Sequence, residues 1–295
     1  MRIEELRKAR QTEAGTVSDR DRVTKKKPES AYRRLRYELS KTWARGPLLR
    51  LRHRGFNSAD VFFGSYPRSG STWSRFTIFE MLTGQEATFE AVRAAFRGLG
   101  SHAKAPRLLP GGGRFLSTHE MYQSEYKKAM YLVRDGRDVL LSEHAYLKAL
   151  GRFHGELDEF VSAFLDGKVN GFGPWQRHVS SWLDSPLASS TSNLLLVRFE
   201  DLRRDPEQEF RRIADFLGVR LEPARLRMAI ANNSVERMRA KEDRSPQGAS
   251  VRGRFVRSGS VEKWRTELSP NQLRMIDEFA GNTLLRLDYP VSTPS

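Results

Sequence analysis

The feature that most constrains the fold of this chain is an apolar run that passes into a turn of small residues and then into a helix. The run begins at Val61-Phe62-Phe63, the turn occupies residues 66–70, and a predicted helix starts at Ser71-Thr72-Trp73. In such a turn, backbone N–H groups and the positive end of the helix dipole converge on one point, and glycine lets the main chain approach an anion there. The string therefore predicts a phosphate cradle between a buried strand and a helix.

Short apolar runs and helical stretches alternate from residue 60 onward. Strands are predicted at 60–65, 114–117, 129–133 and 193–199. Helices are predicted at 71–82, 88–98, 136–150, 157–165, 174–183, 206–217 and 270–285. Segments 106–113 and 241–259 are rich in glycine or charge and are predicted to be loops. Strands that alternate with helices in this way are typical of an α/β domain with a central parallel sheet.

Positive charge is concentrated in the first fifth of the chain. Residues 1–57 contain 17 Lys or Arg against 7 Asp or Glu, which gives them +10 of the total formal charge of +15. The length suits one large domain with an appendage, so we expect a basic N-terminal extension at 1–57 and the main domain at 58–295. Within the extension, Leu35, Leu39 and Trp43 predict an amphipathic helix that either docks on the main domain or lies on an anionic membrane. Such a segment attracts polyanions without selecting a specific nucleic acid.

Several absences narrow the function. The chain has no cysteine, which excludes disulfides, zinc thiolate sites and thiol nucleophiles. It has no HExxH or other clustered metal-ligand pattern, so no metal is expected. It also has no signal-peptide apolar stretch and no apolar run long enough to span a bilayer. We therefore expect a soluble, cytoplasmic protein, with peripheral attachment to a membrane as an alternative.

The turn differs from the loop that binds nucleoside triphosphates. That loop needs G-x-x-x-x-G-K-[ST], whereas Gly70 precedes the Ser-Thr pair here and no lysine is present. The string YPRSGSTW instead resembles the YPKSGTTW loop of sulfotransferases that use 3′-phosphoadenosine 5′-phosphosulfate (PAPS). Arg68 then replaces the family lysine beside the leaving group, with a planar fork in place of an ammonium. The resemblance implies that the 5′-phosphate and adenine are held by Ser69, Gly70, Ser71, Thr72 and Trp73.

A second string, YLVRDGRDVLLS at 131–142, places a cation and a hydroxyl near one crevice. Arg134 leaves the end of an apolar strand, and Ser142 follows eight residues later, about two helical turns on. The string resembles the 3′-phosphate segment of the same family, R-[DN]-P-[KR]-D-V-x-x-S. Gly136 stands where that segment has proline. The resemblance assigns Arg134 and Ser142 to the 3′-phosphate.

A third string near the C-terminus, RSGSVEKWR at 257–265, resembles the family pattern R-K-G-x-x-G-D-W-K. It implies that Arg257, Ser258 and Gly259 complete the 3′-phosphate pocket. The strings at 197–202 and 173–179 also resemble family segments, and in the second of these His178 is expected to be structural. The matches fall in family order over about residues 60–290. They imply a P-loop-like, three-layer α/β/α fold.

His119 is the candidate general base. It directly follows a predicted strand, at the sheet edge where ligands bind in α/β proteins, and a neutral histidine can take a proton from an acceptor. The segment STH resembles the family segment K-T-H, so Ser117 replaces a lysine that assists the transfer. Arg68 is expected to provide more of the positive charge that assists the transfer. Lys104, from a neighbouring loop, is expected as a substitute for the missing lysine. The histidines expected on the acceptor side are His102 and His144.

These observations predict a sulfotransferase that moves the sulfuryl group of PAPS onto an acceptor with a hydroxyl or amine group. The acceptor pocket is expected from the loops at 101–113, 151–172 and 241–254, whose composition leaves a small molecule, a lipid and a carbohydrate open. One alternative is a basic protein that binds nucleotide, nucleic acid or membrane without catalysis. Another is a P-loop-type kinase.

Overall fold

Four parallel strands form a central sheet in the part of the chain that the computed structural model describes, residues 52–245, 256 and 259–291. Their order across the sheet is β2-β1-β3-β4, and Gly64 of the central strand pairs with Thr118 on one side and Tyr131 on the other. The strands are β1 Val61–Ser65, β2 Phe115–Thr118, β3 Ala129–Val133 and β4 Leu194–Arg198. The parallel α/β architecture expected from the sequence is confirmed.

Helices connect and cover the strands. Those that follow the predicted positions are α1 Ser71–Thr83, α2 Phe89–Ala95, α3 Gly136–Ala149, α4 Leu157–Leu165, α5 Trp175–Leu183, α7 Pro206–Phe216 and α11 Pro270–Leu285. Among the described residues, four more α-helices were not predicted: α6 Phe199–Arg204, α8 Pro223–Asn232, α9 Val235–Arg244 and α10 Trp264–Glu267. No helix in the described ranges is long and apolar enough to cross a membrane.

The sheet separates two apolar layers because successive strand residues point to opposite faces. In β1, Phe62 packs in one layer with Trp175 and Trp182, whereas Phe63 packs in the other with Phe76 and the remaining apolar residues of α1. All residues of β1 and β3 are buried. The two central strands are therefore covered on both faces, as a three-layer α/β/α domain requires.

The predicted loop at 241–259 is wrong at its start, because residues 241–244 form the last turn of α9. Lys241 is buried there, where its Nζ lies 3.1 Å from Glu80 Oε1 and donates to Asn233 Oδ1 at 2.9 Å. The helix was missed because its sequence is strongly charged and therefore looks like an exposed loop. Its lysine can be buried because it is paired with a carboxylate from α1. Residues 1–51 of the basic extension, and Arg257 and Ser258, lie outside the described residues.

Candidate functional site

A cavity of about 360 Å³ lies at the carboxyl ends of the strands. Its walls include Pro67 after β1, His119 after β2, Arg134 after β3 and Phe199 after β4. Ligands of open α/β sheets bind in the crevice outside this edge, where loops from different strands converge. The topology thus brings the first two strings found in the sequence to one place, and Gly259 of the third string also lines the cavity.

The loop between β1 and α1 lines one end of the cavity. Arg68 and Gly70 have backbone φ angles of +69° and +94°, and Gly70 directly precedes the first turn of α1. Gly70, Ser71, Thr72 and Trp73 line the cavity, so the start of a thirteen-residue helix faces it. Ser69 is fully buried and does not line the cavity, and its hydroxyl has no hydrogen-bond partner among the described residues.

Gly70 is required by its contacts as well as by its backbone. A Cβ atom at this position would lie 2.4 Å from the Phe199 ring. We expect Gly70→Ala to lower the free energy of unfolding by about 2–5 kcal/mol, from left-handed backbone strain and overpacking together. Gly55→Ala is the matched control, because Gly55 has φ +77° but no atom within 4 Å of the added Cβ. Denaturant unfolding followed by circular dichroism should show the smaller loss in the control, and equal losses would contradict the steric account.

Arg134 joins two sides of the cavity. Its Nη1 donates to the carbonyl oxygen of Arg68 at 3.2 Å, and its Nη2 donates to that of Ser260 at 2.8 Å. The guanidinium also lies 3.5 Å from Asp138 and 4.8 Å from the centre of the Phe199 ring. A cation is therefore fixed between the β1–α1 loop and the C-terminal segment.

Asp138 fastens the C-terminal segment to α3. Its two carboxylate oxygens accept hydrogen bonds from the backbone N–H groups of Glu262 and Trp264, at 2.9 and 3.2 Å. Gly259, with φ +61°, is thereby held at the cavity wall. The second and third strings of the sequence are thus one structural unit, although only Gly259 of the three residues predicted from the third string is described.

Arg68 and Ser142 lie on the cavity wall in contact with each other. Arg68 Nε donates to Ser142 Oγ at 3.3 Å, and the guanidinium lies 4.5 Å from the centre of the Tyr146 ring. Ser142 and Tyr146 share one face of α3 because they are four residues apart. This spacing was the available signal for Tyr146, which the sequence interpretation did not single out.

Aromatic rings line the wall next to the β1–α1 loop. Trp73 lies edge-to-face with Phe199, with 6.1 Å between ring centres, and the Arg203 guanidinium lies 5.5 Å from the Trp73 ring. Arg203 was not predicted, although it follows Phe199 by four residues, one helical turn. Flat apolar surfaces with adjacent cations suit the face of a purine base.

His119 lines the cavity and is held to the main chain through one ring nitrogen. Its Nδ1 lies 2.7 Å from the carbonyl oxygen of Ser65, which can only accept, so Nδ1 carries the proton. Nε2 is then the basic nitrogen, and it has no hydrogen-bond partner within the described ranges. Burial, opposed by the Ser65 hydrogen bond and reinforced by the nearby charge of Arg75, lowers the pKa of His119 to about 4. The ring is neutral at physiological pH.

A second histidine holds the main chain of the first. His178 Nε2 donates to the carbonyl oxygen of His119 at 3.0 Å, and its Nδ1 accepts from the Tyr131 hydroxyl at 2.9 Å. His178 is fully buried. The structural role expected for His178 is therefore confirmed, and that role is to fix the position of His119.

Three expected contributors do not reach the cavity. Lys104 is exposed, and none of its atoms lines the cavity wall. His102 is buried, with Nε2 donating to the carbonyl oxygen of Arg54 at 2.8 Å. His144 packs against Phe160 and also lies outside the wall. The structure therefore does not bring Lys104, His102 or His144 to the cavity with the other predicted site residues.

The far end of the cavity combines aromatic surface with a buried carboxyl group. Phe172 packs edge-to-face on His119, with 5.7 Å between ring centres. Glu143 is buried, its Oε1 lies 3.5 Å from Asn170 Nδ2, and burial raises its pKa. Asn170 in turn donates to the Tyr66 hydroxyl at 3.0 Å. Asn170 and Phe172 fall at the 151–172 loop expected to form an acceptor pocket, whereas Glu143 gave no signal in the sequence.

Comparison with known proteins identifies the class. The sulfotransferase domain family model matches residues 58–287. Sulfotransferase 2B1 of Mus musculus is 26% identical over 239 residues, covering 74% of this chain and 69% of that protein. Human sulfotransferase 2B1 is 28% identical, and the match spans 74% of this chain and 64% of that protein. Rat sulfotransferase 1A1 is 24% identical over 78% of this chain and 86% of its own length.

Solved structures with the same fold include two nucleotide complexes. Mouse sulfotransferase SULT7A1 complexed with PAP (adenosine 3′,5′-bisphosphate) has a TM-score of 0.63 and is 22% identical in sequence. The match covers 80% of this chain and 88% of that one. Retinol dehydratase in complex with androsterone and the inactive cofactor PAP has a TM-score of 0.64 and is 20% identical in sequence. The match covers 81% of this chain and 84% of that one. The chain therefore belongs to the sulfotransferase domain family. The enzymes of this family take their sulfuryl group from PAPS.

Proposed function

We propose that this protein transfers the sulfuryl group of PAPS to the hydroxyl group of a small, largely apolar acceptor, with His119 as general base. One observation carries the proposal: His119, whose basic nitrogen is Nε2, lines the same cavity as the helix-start loop and the cation Arg134. A base, an anion cradle and a fixed cation in one crevice are the parts that sulfuryl transfer needs. A binding protein without catalysis has no use for the oriented base.

The proposed nucleotide position follows the cavity from the β1–α1 loop to α3. The 5′-phosphate lies at the start of α1, where backbone N–H groups and the helix dipole favour an anion. The adenine lies against Trp73, and the 3′-phosphate lies between Arg134 and Ser142. We propose Arg257, Ser258 and Gly259 as further 3′-phosphate contacts, because the string at 257–265 resembles the family segment that binds this phosphate.

The reaction is an in-line displacement at sulfur. His119 Nε2 removes the proton of the acceptor hydroxyl while the acceptor oxygen forms a bond to sulfur. The bond between sulfur and the bridging oxygen of the 5′-phosphate breaks, and its electron pair leaves with adenosine 3′,5′-bisphosphate (PAP). Arg68 and the loop amides stabilise the negative charge that develops on the leaving phosphate.

The acceptor class is supported by the far end of the cavity. Phe172 provides apolar surface beside the base, Tyr146 and Leu147 add apolar surface to the cavity wall, and Glu143 with Asn170 provides a polar contact. Pockets of this composition suit small molecules with one or two polar groups. Retinol dehydratase, which shares the fold, holds androsterone in its structure, and this supports a hydrophobic alcohol as acceptor.

The proposal is tested with sulfur-labelled PAPS and four acceptors: androsterone, retinol, 2-naphthol and glucosamine. We expect label to move to one or more of the three apolar alcohols, with one PAP released for each sulfated product. Preferential labelling of glucosamine would contradict the acceptor class. Binding of PAP without labelling of any acceptor would favour the non-catalytic alternative.

The low pKa of His119 predicts an unusual pH profile. The base works in its neutral form, so a pKa lowered to about 4 keeps it active at pH values where an ordinary histidine, with a pKa of about 6.5, is protonated. We expect kcat/KM for an aliphatic alcohol to stay level from neutral pH to about pH 5 and to fall as pH approaches 4. Circular dichroism at each pH checks that the protein is folded. A half-loss near pH 6.5 in folded protein would show that His119 titrates normally.

A further inference from the structure

The mechanism above uses one side-chain cation beside the leaving group, Arg68, while the structure supplies another. Arg75, on α1, lines the cavity together with His119 and the β1–α1 loop. Ser117, which stands where the family segment K-T-H has its lysine, lies in β2 and does not line the cavity. Phe115 packs in the core layer beneath α1, and strand alternation places Ser117 on that same face of the sheet.

The Arg75 guanidinium is held by neutral partners from its own helix. Nε donates to the carbonyl oxygen of Ser71 at 3.2 Å, and Nη2 donates to Thr72 Oγ1 at 3.4 Å. These contacts use two of the five N–H donors of a guanidinium. No acidic side chain in the described part of the chain forms an ion pair with Arg75. Arg75 is half-buried, and a cation of this kind without a carboxylate partner is stabilised when an anion binds beside it.

The electrostatics of the site agree with this geometry. Burial lowers the pKa of Arg75 to about 10, so the side chain is weakened as a base but remains charged at neutral pH. Its charge also contributes to the lowered pKa of His119. The cation therefore lies near the base and near the start of α1. In the proposed mechanism, sulfur moves from the 5′-phosphate at the start of α1 to the acceptor oxygen beside the base.

We propose that Arg75 is a catalytic residue of the sulfuryl transfer, donating from its remaining N–H groups to the sulfuryl oxygens and the bridging oxygen of PAPS. This inference rests on the proposed function. As the acceptor oxygen bonds to sulfur and the electron pair of the broken bond moves to the 5′-phosphate, negative charge grows on these oxygens. A fixed cation stabilises that charge without reorganisation. Arg75 thereby supplies, from α1, a cation that β2 does not.

The test compares Arg75→Met, which keeps the length of the side chain without its charge, with Arg75→Lys. With sulfur-labelled PAPS and the fastest of the four acceptors, we expect Arg75→Met to lower kcat by roughly 10²- to 10³-fold. Arg75→Lys should recover most of this loss. Affinity for PAP, which lacks the sulfuryl group, should be nearly unchanged in both variants, and calorimetric binding of PAP also shows that each variant is folded.

A pH profile separates this role from a structural one. Removal of the Arg75 charge raises the pKa of His119, so the acid limb of kcat/KM should move to higher pH in Arg75→Met and stay near its original position in Arg75→Lys. Arg177→Met, on the exposed surface of α5, is the control for loss of one positive charge and should behave as the unmodified protein does. Wild-type kcat in Arg75→Met, or equal losses of kcat and PAP affinity, would overturn the role of Arg75. Failure of the unmodified protein to transfer label would instead count against the proposed function.

Discussion

Replacement of His119 with alanine is expected to lower turnover by roughly 10²- to 10⁴-fold, the contribution of a positioned general base. Affinity for PAP should change little, because the ring contacts Ser65 and Phe172 and is proposed to face the acceptor rather than the nucleotide. Turnover of labelled PAPS and calorimetric titration with PAP measure the two quantities separately.

The control for this variant is His154→Ala, since His154 is exposed and is not part of the cavity wall. It should retain full turnover. His178→Ala provides an intermediate case, because it removes the donor that holds the His119 main chain but leaves the base itself. Near-normal turnover of His119→Ala would remove His119 from the mechanism, whatever the other two variants do.

Arg134→Ala is expected to erase most of the preference for a 3′-phosphate. Charge-assisted hydrogen bonds contribute about 1.5–3 kcal/mol each, so the loss of two should separate PAP from adenosine 5′-phosphate by at least about a hundredfold in the unmodified protein. The variant should show a much smaller ratio. The ratio is the sound quantity to compare, because Arg134 also holds the carbonyl groups of Arg68 and Ser260 and its loss disturbs the site for both nucleotides.

Arg68→Ala is the matched comparison, since it also removes a cavity-lining cation. Arg68 is proposed to face the leaving 5′-phosphate, so this variant should lose turnover while it keeps the preference for the 3′-phosphate. Calorimetric titration of both variants with both nucleotides gives the two ratios. An Arg134→Ala protein that retains the wild-type ratio would contradict the 3′-phosphate assignment.

The sheet could be predicted from the sequence because its strands are mostly buried, and hence apolar, and are flanked by turn residues or helices. The observed limits of β3, α4 and α11 coincide with the predicted ones. Helix α6 was missed because it begins at Phe199 immediately after β4, so the last apolar residue of the predicted strand is the first of a helix. Periodicity gives no boundary where two elements share a continuous apolar run.

Some residues of the site could be predicted from the sequence and others could not. Residues within contiguous strings, such as Arg134 and Ser142, could be placed together because strand ends meet at one edge of a parallel sheet. Arg75 and Glu143 could not be placed at the site from the sequence. Each lies on a helix, and the rotation of the helix about its axis decides whether the side chain enters the cavity. A charged residue on a helix usually faces solvent, and only the packing of α1 and α3 shows that these two do not.

The most direct test of sulfuryl transfer at this cavity is a single-turnover measurement with sulfur-labelled PAPS and an apolar alcohol, in the unmodified protein and in His119→Ala. The account predicts that label enters the alcohol at the rate at which PAP forms, and that this rate falls by at least about a hundredfold in the variant while PAPS remains bound. Label that appears only as free sulfate, at equal rates in both proteins, would contradict it.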